Sequence, residues 1–282
     1  MPSYDMHQHL WPEQVVSALS TRREPPRLRG RTLELADGSY EVDLGAHDLD
    51  RRLALLDRDG IDVAIVSLQP TLGAEQAPEL VEAYHEGVLE LAAASRGRLL
   101  PLACGVCLEG FVGACVPAVA MIGDLEPLPG ELERARQILF VHPGVPARGP
   151  DPAPLWWAPV VDYTAQMQAA YAAWLARGAA EYPGLPVVFA ILAGGAPFQL
   201  ERLRSWGFEG GAFLDRNVFL ETASYGRHAL ELCLAASGVN QVLYGSDVPV
   251  IDSRPTLRAL TELGEAVHNA VWKENPSRLF GH

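Results

Sequence analysis

Apolar and polar positions along the chain follow two alternating periods. Short runs of Val, Ile and Leu are separated by longer stretches in which apolar residues recur at helical spacing. The runs predict strands at 4–9, 61–68, 99–106, 118–122, 138–142, 187–192, 218–222 and 242–247. Between them the spacing predicts helices at 48–59, 77–95, 131–137, 163–181, 198–205, 229–237 and 255–267. Strands that alternate with helices build a parallel sheet from βαβ units. Eight such units in 282 residues predict an α/β fold, a (β/α)8 TIM barrel forming a single domain over 1–282. A doubly wound open sheet is the weaker alternative, because no glycine-rich phosphate loop follows the first strand.

Two segments exceed a minimal barrel. Within 28–44, β-like runs flank Ala36-Asp37-Gly38-Ser39, and an Asp-Gly pair in that setting predicts a hairpin. The hairpin is expected as a small insertion at about 20–47, after the first strand and over the barrel mouth. A proline-rich loop at 143–160, carrying Trp156 and Trp157, is expected over the same mouth. The chain shows no internal repeat and no low-complexity linker.

Charge narrows the function classes. The 22 basic and 35 acidic residues leave a net charge of −13, with no basic stripe to track phosphates, so nucleic acid is not the expected partner. Lys273 is the only lysine, which disfavours Schiff-base chemistry and a lysine-bridged metal pair. The N-terminus carries Asp5, His7 and His9 instead of a secretory leader. The most apolar stretch, 99–123, is broken by Glu109, prolines and glycines and is not expected to span a membrane. A cytoplasmic protein is therefore expected. Cys104-Gly-Val-Cys107 is a lone CxxC on a predicted strand, where positions three apart face opposite sides, so the cysteines read as core thiols.

The chemistry concentrates at predicted strand ends. His7 and His9 close the first strand two positions apart, on one face, with Asp5 a step deeper on that face. His142 closes the fifth strand, and Asp247 closes the eighth within Gly245-Ser246-Asp247-Val248-Pro249. Barrel active sites collect at the C-terminal ends of strands. Three imidazoles and one carboxylate meeting there can hold one divalent ion of Zn²⁺ type and leave room for water.

The pieces Asp5-Met-His7-Gln-His9, Phe140-Val-His142-Pro-Gly, Tyr244-Gly-Ser-Asp247-Val-Pro249 and Glu274-Asn275-Pro-Ser-Arg278-Leu-Phe-Gly281 occur in that order. Together they resemble the amidohydrolase superfamily, in the amidohydrolase-related branch that contains aminocarboxymuconate-semialdehyde decarboxylase. The resemblance spans nearly the whole chain. It implies a metal-bearing TIM barrel whose ion is addressed by His7, His9, His142 and Asp247, and it brings the expectation of a homodimer. The branch holds hydrolases and non-oxidative decarboxylases alike. It usually has a histidine after strand six, in a sequence like Ala-His-x-Gly-Gly, where this chain reads Ala190-Ile191-Leu192-Ala193-Gly194-Gly195. The resemblance implies that the decarboxylases of the branch rely on that histidine, whereas Ile191 can neither move a proton nor bind metal, and this tilts the expectation towards hydrolysis. The remaining candidates for a base are Asp247, acting as both ligand and base, and His228 after strand seven.

Trp11, Trp156, Trp157 and Tyr225 are candidates to line the mouth, with Arg148 or Arg227 placed for a substrate carboxylate. The expected activity is hydrolysis of a small cyclic or carboxylated organic molecule by water activated at the ion, Zn²⁺ first and Mn²⁺ second. The alternative is non-oxidative decarboxylation of an aromatic or muconate-type acid. A degenerate barrel that binds a ligand without turnover is the third reading, motivated by Ile191.

Overall fold

The computed structural model describes residues 1–123, 125–147, 149–208 and 215–280. The first apolar run forms β1 (Tyr4–His9), buried along its whole length. Helix α1 (Glu13–Thr21) follows, and then a small antiparallel sheet of β2 (Arg27–Arg29), β3 (Thr32–Leu35) and β4 (Gly38–Glu41). Helix α2 (Leu49–Asp59) leads to β5 (Val63–Ser67), and α3 (Pro78–Ala94) to β6 (Leu99–Cys104). Then come β7 (Gly113–Pro117), α4 (Leu128–Ala135) and β8 (Ile138–His142). Beyond the proline-rich loop lie α5 (Tyr163–Ala173), α6 (Ala179–Glu181), β9 (Val187–Phe189) and α7 (Leu200–Ser205). The sheet is completed by β10 (Val218–Glu221), α8 (Arg227–Ser237) and β11 (Val242–Leu243). Helices α9 (Arg254–Glu262), α10 (Glu265–Asn269) and α11 (Asn275–Leu279) end the chain.

Among the described residues, eight parallel strands pair in the order β1-β5-β6-β7-β8-β9-β10-β11. The ring closes where Met6 N donates to Tyr244 O (2.8 Å), His9 N to Val248 O (2.7 Å) and Asp247 N to His7 O (2.8 Å). A (β/α)8 barrel results. Strands covered on both faces need continuous apolar runs, which is why these segments read as unbroken Val, Ile and Leu. Helix α2 shows how local signals set the boundaries. Asp48 accepts from Arg51 N at 3.1 Å at its start, and Gly60 adopts the left-handed conformation at its end. No described helix is long and apolar enough to cross a membrane.

Four expectations are corrected. The fourth barrel strand is β7, not 118–122, which is a 3₁₀ turn with Val119 and Ile122 exposed. Gly113 explains the choice: a Cβ there would lie 2.2 Å from the Ile138 carbonyl oxygen, so only glycine allows the two strands to pair. Helix α1 occupies a stretch given no element from sequence. The insertion is a three-stranded sheet, and its predicted hairpin turns on Ala36-Asp37 while Gly38 already pairs with Leu35. The predicted helix 163–181 is interrupted by a wider turn at Trp174–Gly178, with Tyr171, Trp174 and Leu175 in the core as expected. Cys115 and Cys233 are buried thiols, whereas Cys104 and Cys107 are half-buried.

Candidate metal centre

His7 and His9 stand at the C-terminal end of β1, His142 ends β8, and Asp247 follows β11. One potential ligand atom from each lies within 4.8 Å of all the others. His7 Nε2 is 3.2 Å from His9 Nε2, and Asp247 Oδ1 lies 3.2 Å from His9 Nε2 and 3.6 Å from His7 Nε2. The three rings meet edge to face, with centroids 4.9 to 5.0 Å apart. Asp247 Oδ1 is buried and makes no hydrogen bond of acceptable geometry. A sealed carboxylate oxygen facing imidazole nitrogens at this range is costly by itself and is satisfied by a cation among them. The donor set fits a divalent ion.

Outer hydrogen bonds fix each ring. Nδ1 of His7 is 2.8 Å from Glu221 Oε2, that of His142 is 2.7 Å from Pro143 O, and that of His9 is 3.3 Å from Ser67 O. Carbonyl and carboxylate oxygens only accept, so the neutral rings of His7 and His142 keep their proton on Nδ1 and turn Nε2 to the centre, while Nδ1 of His9 also lies 3.2 Å from the Ser67 hydroxyl, which can donate or accept. Burial opposes charge on His7, but Glu221, Asp247 and Asp5 outweigh it and hold the ring up to about 9. Burial and the charge of His7 pull His9 and His142 down instead. Burial also raises Asp247, but the three histidines outweigh it and hold the carboxyl below its ordinary range. Asp247 adopts φ +60°, a conformation Asp tolerates better than most residues, pinned by its bond to His7 O.

A register shift in β1 between Asp5 and Gln8 separates Asp5 from the ligands. Its carboxylate accepts from His7 N (3.1 Å), Ser246 N (3.0 Å) and Gln8 Nε2 (2.7 Å), which braces β1 against the turn that carries Asp247. Gln8 is held in turn by the buried guanidinium of Arg52 at 2.9 Å.

The cluster opens into a cavity of about 410 Å³ lined by His9, His142 and Asp247. Pro143, Pro159, Val160, Ile191, Val250 and Ile251 supply apolar walls, with Tyr163, Tyr225 and Gln69 among the polar ones. Ile191 begins a left-handed run through Gly195, itself at φ +47°, and its N–H donates to Glu221 Oε2 at 3.2 Å. The position expected to hold a histidine thus presents an apolar wall to the cavity.

The other candidates are scattered. Tyr225 lines the cavity. Trp11 is buried behind the wall, 2.7 Å through Nε1 from Gln69 Oε1. Trp156 is exposed and Trp157 half-buried, packed on each other with centroids 6.1 Å apart. Arg227 and His228 are exposed at the start of α8 and reach Glu231 at 2.8 and 3.5 Å, not the cavity. Both stand on the first turn of a surface helix, which turns their side chains to solvent. Arg148 lies outside the described residues. Sequence reasoning missed Glu221, Ser67 and Gln69. Of these only Glu221 carried a signal, an acidic residue closing the apolar run Val218-Phe219-Leu220.

A (β/α)8 barrel with three histidines and an aspartate gathered at the C-terminal ends of its strands defines a class of metal-binding barrel proteins. The chain belongs to the amidohydrolase family, whose model matches residues 4–282. No curated protein matches the sequence. Among solved structures, the chain is similar to the apo form of IDCase from Metarhizium anisopliae, at 20% identity and TM-score 0.81, covering 99% of this chain and 96% of that one. It is similar to a dihydroxybenzoic acid decarboxylase from Polaromonas sp. JS666 with bound manganese and the inhibitor 2-nitroresorcinol, at 18% identity and TM-score 0.75, covering 99% and 97%. A third is 5-carboxyvanillate decarboxylase from Sphingomonas paucimobilis, at 18% identity and TM-score 0.76, covering 99% of both chains. At these identities the likeness establishes the fold.

Proposed function

We propose that the protein is a metal-dependent, non-oxidative decarboxylase of a compact aromatic or similarly unsaturated carboxylic acid. One observation carries the reading: the ligand cluster opens into a cavity whose described lining residues include no lysine and no arginine. A substrate carboxylate there would have only the ion as a charge partner. Apolar walls raise the energy of that carboxylate relative to neutral CO₂, so they favour its loss.

When bound, a divalent ion, Zn²⁺ or Mn²⁺, supplies the positive charge that holds the substrate's oxygens. The nitrogen-rich donor set suits Zn²⁺, and the manganese in the Polaromonas neighbour supports Mn²⁺. His7, His9, His142 and Asp247 would hold it, while Glu221 and Pro143 accept the Nδ1 protons of His7 and His142, and Ser67 flanks Nδ1 of His9 with its carbonyl and hydroxyl. The bond from ring carbon to carboxylate breaks, CO₂ leaves without charge, and the carbon keeps the electron pair and takes a proton from solvent water relayed by the Asp247 carboxylate, which ends ionised as it began.

The decarboxylases among the similar structures support this reading over hydrolysis.

The test is a panel of hydroxylated benzoates and related unsaturated acids, set against lactones, esters and amides, with protein loaded separately with Zn²⁺ and Mn²⁺. CO₂ and decarboxylated product in equal amounts from at least one acid are expected. Hydrolysis of a lactone, ester or amide without CO₂ release from any acid would overturn the reading, as would an absence of turnover throughout.

A further inference from the structure

Most polar groups on the cavity wall have no fixed direction. The hydroxyls of Thr71, Ser224, Tyr163 and Tyr225 rotate and can donate or accept. Gln69 differs. An indole N–H can only donate, so the Trp11 Nε1 contact at 2.7 Å requires the amide oxygen of Gln69 to face Trp11. The amide Nε2 therefore points away from Trp11, and it has no hydrogen-bond partner among the described residues. Gln69 itself lines the cavity, two residues beyond Ser67, which binds His9.

Trp11 is itself locked. Its backbone N–H donates to His47 Nδ1 at 3.1 Å, and its ring stacks on the His47 imidazole with centroids 4.7 Å apart and planes at 5°. Both residues are buried. A buried chain from His47 through Trp11 thus sets the polarity of one amide at the wall of the reaction cavity.

We propose that Gln69 is a specificity-determining residue that donates a hydrogen bond to a neutral acceptor oxygen, a carbonyl, ether or hydroxyl oxygen, on the substrate body, and that Trp11 is its positioning residue. The substrate class is then an unsaturated monocarboxylic acid bearing an uncharged oxygen substituent. A second carboxylate would find no cationic side chain among the described lining residues. The inference rests on the decarboxylase reading for the substrate's carboxylate, but its test needs no turnover.

The probes are ortho-, meta- and para-acetylbenzoate and their isopropenyl counterparts, which differ by an oxygen in place of a methylene. Calorimetry on the metal-loaded protein is expected to show at least one acetyl isomer bound roughly tenfold more tightly than its isopropenyl partner. Gln69→Leu should remove that ratio. Trp11→Phe should also collapse it and admit the matching aminobenzoate, because a freed amide can flip. A purely structural effect of Trp11→Phe would weaken all probes equally. Retention of the acetyl preference in Gln69→Leu, or its absence in the wild type, would overturn the proposal, with thermal melts confirming that each variant is folded. An acetyl preference in a protein that releases no CO₂ would leave Gln69 as the recognition residue and refute the decarboxylase reading alone.

Discussion

Nδ1 of His7 lies 2.8 Å from Oε2 of Glu221, and both side chains are sealed from solvent. Glu221 also accepts from the backbone N–H groups of Ile191 and Ala223, so the carboxylate joins the ends of three barrel strands behind one metal-facing ring. A carboxylate in this position orients the ring, fixes its tautomer and raises the basicity of its Nε2.

Glu221→Gln should therefore weaken metal binding while leaving all four ligands in place. Gln accepts through only one oxygen, and its NH₂ group would face backbone N–H donors. Chelator competition is expected to show a loss of about 10- to 100-fold in affinity. An unchanged affinity would show that Glu221 braces the fold and does not tune the ion.

Ile191→His tests the apolar wall. If the cavity favours loss of CO₂ because Ile191 keeps it dry, an imidazole there should lower turnover of the best acid by roughly tenfold or more. The fold should tolerate the change, since φ +47° is harder for a β-branched residue than for His. Faster CO₂ release from Ile191→His would contradict the role given to the wall.

Gly194→Ala reports on the left-handed run that carries Ile191. Gly194 has φ +61°, its carbonyl accepts from Gln168 Nε2 at 2.7 Å, and a Cβ would sit 2.2 Å from the Thr164 carbonyl oxygen. Backbone strain and overlap together should cost about 2 kcal/mol or more. Denaturant titration of the metal-free protein measures it, and a loss under about 0.5 kcal/mol would mean that the run is not tightly packed against α5.

His47 should dominate one part of the acid response. Burial, with Arg52 and His9 nearby, lowers it from 6.5 to about 3 despite an opposing pull from Asp43. Its Nδ1 must stay unprotonated to accept from Trp11. Above pH 6.5 it is neutral folded and unfolded alike. As pH falls towards 3 only the unfolded chain takes the proton, so stability is lost at about 1.4 kcal/mol per pH unit. His47→Asn keeps an acceptor and removes the titration. Stability of metal-free protein measured between pH 6 and 4 should fall about one proton less steeply in the variant, and equal slopes would contradict the assignment.

The barrel and the four ligand candidates were legible because both rest on local pattern. His7 and His9 share a strand face by spacing alone, and His142 and Asp247 each close an apolar run. Strand β7 was placed too late because 111–122 is one apolar stretch, and only the approach of Gly113 to Ile138 decides which half enters the sheet. Glu221 and Gln69 were not legible for another reason. Each acts through a partner far away in sequence, His7 by 214 positions and Trp11 by 58, so no local window contains the relationship. Arg227 and His228 show the converse: residue types suited to a carboxylate or a proton, carried to the surface by the first turn of α8.

The most direct measurement is the metal content of protein stripped with chelator and reloaded with Zn²⁺ or Mn²⁺, read by mass spectrometry of the ion beside His142→Ala and Asp247→Ala. Close to one ion per chain in the wild type and little in either variant is the predicted result. Two ions per chain, or equal uptake by wild type and variants, would contradict a single centre built from His7, His9, His142 and Asp247.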